Sequence, residues 1–106
     1  MVKMMFFGFR RDGLSREQAL AELGGAHHLS FVKKVPGLRR RVRNYPVAEV
    51  PDAAPDWVGE LWFDDQGALD AAVGSQEWAD MGGDGKRFAN VEKTYGCVVD
   101  EQVGIG

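Results

Sequence analysis

Apolar residues follow two rhythms along this chain, and the switches between them mark its elements. Val2 to Phe9 is apolar almost throughout, with Lys3 as the main interruption. A strand without alternation is buried on both faces, as at the centre of a sheet. Arg10-Arg11-Asp12-Gly13 makes a turn, and Ser15 with Gln18 forms a capping-box pattern that satisfies two orphan backbone N–H groups. The spacing predicts a helix from about Arg16 to about Lys34, with Leu20, Leu23, Phe31 and Val35 as its apolar stripe. Pro36-Gly37 stops it. Gly24-Gly25 interrupts it, each glycine costing about 1 kcal/mol against alanine, so a kink or break is expected there.

Leu38 to Val47 reads as a second strand, with Leu38 and Val42 on one face and Arg39, Arg41, Arg43 and Tyr45 on the other. Pro46 confines it to an edge or ends it. Pro51 to Asp56 is a loop. In a third strand, Trp57 to Phe63, the residues Trp57, Gly59, Leu61 and Phe63 share a face opposite Val58, Glu60 and Trp62. Asp64-Asp65 opens a second helix over about Gln66 to Val73, and Ser75 to Trp78 can start a further turn. Gly82-Gly83-Asp84-Gly85 reads as a flexible loop carrying Lys86, Arg87 and Phe88, and Val91 to Val103 as the last strand. The order β-α-β-β-α-β predicts a single α+β domain over residues 1–106, a ferredoxin-like antiparallel sheet of four strands with helices on one face. Helices on one face leave the other bare, although the first strand is apolar on both sides and the last presents Tyr95, Cys97 and Val99 together. A second copy packed sheet to sheet is the expected cover, which predicts a homodimer.

Composition narrows the function classes. The 106 residues are 44% hydrophobic and 27% charged, a globular balance that excludes disorder. A net charge of −3 argues against a nucleic-acid partner, and the arginines around Arg39 to Arg43 are split between two strand faces. Cys97 stands alone, so neither a disulfide nor a cysteine-built metal site is expected. No apolar run is long enough to span a membrane, and no secretion signal opens the chain, so a cytoplasmic protein is expected.

The chemistry centres on His27 and His28, the two histidines of the chain. Imidazole is the natural acid and base near neutral pH. Adjacent residues diverge by about 100° on a helix, so the pair is not placed to chelate a metal. On a continuous helix His27 falls in the middle of the apolar stripe and His28 on its flank, which favours His28 as the pocket residue and keeps His27 as the second candidate. The plainer alternative is one histidine bonding at the glycine break and the other in solvent. Most of the aromatics are expected in the core or a dimer contact. Trp62, Trp78 and Phe88 are the candidates for an aromatic wall around a flat apolar ring, and Tyr45 for a hydrogen-bond donor to a developing oxyanion. Arg40, expected among apolar neighbours with Leu38 and Val42, would need a carboxylate or a ligand anion.

Leu14-Ser15-Arg16-Glu17-Gln18, His27-His28, Val35-Pro36-Gly37-Leu38-Arg39-Arg40 and Glu60-Leu61-Trp62-Phe63-Asp64-Asp65, taken in order with Val98-Val99-Asp100-Glu101, resemble the EthD domain family of dimeric α+β barrels. The resemblance implies a ferredoxin-like homodimer with an apolar pocket between sheet and helices, and no metal or organic cofactor. The family includes fungal enzymes that dehydrate or decarboxylate polyketide-derived precursors, and related barrels include isomerases, cyclases and cofactor-free monooxygenases. The family pattern carries one histidine late in the first helix. Counting back from Pro36 selects His28; counting forward from Ser15 selects His27, and Ser30 stands where the family has proline. The expected function is therefore a cofactor-independent lyase, cyclase or isomerase acting by His-mediated proton transfer on a small apolar or aromatic molecule. The alternatives are a non-catalytic binding or accessory protein and a cofactor-free monooxygenase.

Overall fold

A computed structural model describes residues 1–106. The elements are β1 (Val2–Gly8), α1 (Arg16–Leu23), α2 (Ala26–Val32), β2 (Arg40–Asn44), β3 (Trp57–Phe63), α3 (Gln66–Val73), α4 (Gln76–Gly85) and β4 (Tyr95–Val99). The strands form one antiparallel sheet in the order β2-β3-β1-β4, the ferredoxin-like arrangement. The almost wholly apolar β1 is central, as its lack of alternation requires.

Ser15 caps α1 as its sequence dictates: its Oγ accepts from Gln18 N at 3.1 Å, and its own N–H donates to Gln18 Oε1 at 2.8 Å. The expected long first helix is broken, not kinked. Gly24 closes α1 and Gly25 opens α2. At this break a Cβ on Gly24 would meet the tip of the Arg43 side chain, which would have to move aside. Past α2, Gly37 turns the chain with φ +74, a left-handed conformation that favours glycine.

The second half departs further from expectation. Residues 82–85 are helical, forming the end of α4 and not a loop. Ser75 caps this helix by accepting from Trp78 N at 3.2 Å, and Met81 anchors it in the core. Packing and capping thus override the poor helix propensity of three glycines. β2 and β4 are also shorter than the expected strands Leu38 to Val47 and Val91 to Val103.

The helix-facing side of the sheet carries two apolar clusters. One gathers Val32, Val35, Leu61, Phe63, Leu69, Ala72 and Met81; the other gathers Ala19, Leu23, Trp57 and Phe88. Trp57 lies across β1, and a Cβ on Gly8 would fall 1.8 Å from its ring. The register places Lys3, Met5, Phe7, Val58, Glu60, Trp62, Tyr95, Cys97 and Val99 on the outer face. There Phe7 stacks on Tyr95 with ring centroids 5.0 Å apart.

Gly83 has open space where a Cβ would sit. Gly83→Ala should therefore raise stability by about 0.5–1 kcal/mol through helix propensity alone. A higher urea midpoint with an unchanged slope is the expected result; a lower midpoint would contradict a helical residue 83.

Candidate active site

A cavity of about 250 Å³ opens between the two apolar clusters. Val32, Leu61 and Met81 line it from one side, and Leu23, Trp57 and Phe88 from the other. Gly82 and Gly85, three apart on α4, also line it, so that helix leaves room where side chains would intrude. The size falls near the lower end of small-ligand pockets, which begin at about 300 Å³.

His28 lies in the wall of this cavity, 6% exposed, with its ring edge-on to Phe88 at 4.9 Å. Its Nδ1 stands 2.8 Å from Asp84 Oδ2. A carboxylate only accepts, so the proton resides on Nδ1, and Nε2 keeps its lone pair with no partner inside the chain. The adjacent His27 points outward with a side chain 60% exposed, yet its Nε2 reaches the other oxygen of Asp84 at 2.9 Å. Arg87 completes the shell of Asp84, its Nε 2.7 Å from Oδ1 and its Nη2 3.1 Å from Oδ2, while its Nη1 meets Glu22 at 2.7 Å.

The charges are set accordingly. Arg87, with help from His28, holds the Asp84 carboxyl below its ordinary 3.8, at about 2. Burial pushes the His28 ring below the usual 6.5; Asp84 opposes this, and the positive charges of Arg41 and Arg87 reinforce it. The site thus holds a neutral imidazole beside a permanently ionised carboxylate.

The residues singled out from the sequence fall in different places. His28 and Phe88 line the cavity. His27 sits outside it on the shared carboxylate. Tyr45 is exposed and does not line the cavity, but its hydroxyl accepts from Arg43 Nη1 at 2.9 Å, and Arg43 does. Trp78 packs on the first cluster, 6.0 Å from the Phe6 ring, outside the cavity. Trp62 and Arg40 are a correction. They are register partners on the outer face, with the Arg40 guanidinium 5.7 Å above the Trp62 ring. Regular pairing of β2 begins at Arg40, so the inward position of Leu38 does not carry over to it. Arg41 and Arg43 face the helices instead. Sequence reading also missed Asp84 and Arg41; the i, i+3 pairing of Asp84 with Arg87 was the available signal, hidden by the glycines.

These features belong to a known class. The EthD domain family matches residues 11–92, and the chain is a member of it. Among solved structures, an ethyl tert-butyl ether D (EthD) family protein from Bacillus halodurans is similar, with TM-score 0.77, 23% identity and coverage of 96% of this chain and 99% of that one. SnoaB from Streptomyces nogalater, a cofactor-independent oxygenase, shares the fold at TM-score 0.64 and 10% identity, covering 98% and 95%. So does a dimeric ferredoxin-like protein from Bacteroides fragilis, at 0.61 and 14%, covering 94% and 95%. No curated protein matches at a significant level.

Asp84→Asn removes the charge from three hydrogen bonds and the His27 contact at constant shape. It should cost about 1–3 kcal/mol at neutral pH, measured by urea unfolding. Because the folded value of about 2 lies below the ordinary 3.8, the unfolded chain takes up the proton first. The advantage of the parent is thus complete above about pH 3.8 and is lost as the pH falls through about 2. Equal stability of the two proteins at neutral pH would remove the carboxylate from this role.

Proposed function

We propose that this EthD protein is a cofactor-independent enzyme that moves a proton on a small apolar substrate bearing a carbonyl or phenol. The observation that carries this reading is His28, a neutral imidazole fixed through Nδ1 in the wall of an apolar cavity. Its Nε2 takes a proton from the carbon next to a carbonyl and leaves an enolate. In a dehydration, the neighbouring hydroxyl then departs with that proton as water. In an isomerisation, the proton returns at another carbon. A mostly apolar lining favours a planar ring as the occupant. An aromatic polyketide intermediate has this chemistry.

His28→Ala should abolish turnover of such a substrate, while His27→Ala retains most of it. Loss in neither variant would remove His28 from the chemistry. Tight binding without turnover by the parent would select a binding protein instead. Substrate-dependent oxygen uptake would select an oxygenase, the activity named for SnoaB.

The working unit in this reading is a homodimer formed through the outer sheet face. Met5, Phe7, Val58 and Val99 are only half-buried there, Tyr95 is exposed, and the Trp62 indole N–H is buried without an acceptor in the chain. The Bacteroides fragilis relative is itself described as dimeric. Light scattering should return twice the chain mass, and Tyr95→Glu should shift it toward one chain. A parent that is monomeric at micromolar concentration would refute the dimer and leave the His28 reading intact.

A further inference from the structure

Resting on the cavity as the ligand site, we propose that Arg41 is its anion-recognition point, so that the molecule bound beside His28 is an apolar ring carrying a negatively charged oxygen. Two arginines of the chain are half-buried, Arg16 and Arg41. Arg16 has Asp56 at 3.0 Å. Arg41 makes no ion pair, and its one hydrogen bond within the chain runs from Nη2 to the Leu23 carbonyl at 2.8 Å. That bond satisfies an orphan carbonyl at the end of α1 and holds one end of the guanidinium. A guanidinium has five N–H donors, so most of them are unclaimed by the protein.

The surroundings supply no substitute. Glu60 is the one carboxylate at the edge of the cavity, and it is engaged by Lys3 at 2.7 Å and Asn44 at 3.1 Å on the opposite face. Arg43, the other cation of the lining, only adds positive charge. Burial and the Arg43 charge both disfavour the charged form of Arg41. A neutral hydrocarbon in the cavity would displace water from this cation and give nothing back. An aryl carboxylate or a phenolate would restore the lost hydrogen bonds with charge-assisted ones, in the planar geometry the guanidinium favours. The same contact would steady an enolate oxygen while His28 holds its proton.

Calorimetric titration with three probes tests this: 2-naphthoate, 4-nitrophenolate at mildly alkaline pH, and methyl 2-naphthoate as the neutral ring. At least one anion should bind about tenfold or more tighter than the neutral ester, a margin typical of one charge-assisted contact. The stronger of the two anions tells carboxylate from phenolate. Arg41→Gln should erase the preference and Arg41→Lys should retain part of it, while both variants still bind the neutral ester, which reports an intact cavity. Equal affinity for charged and neutral rings in the parent, or a preference that survives in Arg41→Gln, would overturn the inference and leave the cavity reading standing. Failure of all three probes to bind the parent would overturn both.

Discussion

A buried carboxylate adds a polar tie between α2 and α4 to the apolar core they share. Asp84 accepts from His28 and Arg87 at 2.7–3.1 Å and lies 2.9 Å from His27 Nε2, and so joins α2 to α4 above the sheet. Two neighbouring helices would ordinarily be joined by interlocking apolar side chains. That route is weakened here, because α4 presents glycine at positions 82, 83 and 85. Gly82 and Gly85 leave the space that becomes the cavity, and the Asp84 contacts add to the apolar hold of Val32 and Met81. Burying an anion is costly unless its acceptor positions are filled. Four short contacts fill them.

The break between α1 and α2 has a matching logic on the other side of the cavity. β2 is an edge strand, and its helix-facing residues Arg41 and Arg43 are long and charged. Such side chains cover apolar surface with their stems and need polar partners only at their tips. Arg41 finds the Leu23 carbonyl at the negative end of α1, and Arg43 passes over Gly24 to Tyr45. A continuous helix would keep the Leu23 carbonyl for its own ladder, and a side chain at residue 24 would displace the tip of Arg43. The interruption that costs helix propensity is thereby used to place two cations.

Much of this could be read from the residues. The double-sided apolar run of β1 placed it centrally, the Ser15–Gln18 pair marked the start of α1, and the element order defined the sheet. The continuous-helix wheel set His27 in the middle of the apolar stripe and His28 on its flank, whereas the broken helix exposes His27 and buries His28. What escaped was nonlocal. Glycine propensity argued for a loop at residues 82–85, whereas the Ser75 cap and the burial of Met81 decide for a helix. Asp84 is unremarkable in sequence because its histidine partners lie on α2, more than fifty residues away. Arg40 and Arg41 exchanged faces because period-two alternation was extended to Leu38, which lies outside the ladder.

The protonation state of His28 follows from a balance that no single neighbour sets. A lone carboxylate at 2.8 Å would favour the imidazolium and spoil the ring as a base. Asp84, however, is not electrically alone. Arg87 grips both of its oxygens, so much of the negative charge is neutralised locally while the hydrogen-bond acceptor at Oδ2 survives. Burial, with Arg41 on the cavity side, then tips the ring to its neutral form. Glu22 in turn pairs with Arg87 at the surface, where solvent screens it from the ring. The arrangement separates two properties that usually travel together: the carboxylate orients the imidazole without protonating it. A base that is held in place and still able to accept a proton requires that separation, and the alternation of charge from Glu22 through Arg87 and Asp84 to His28 provides it.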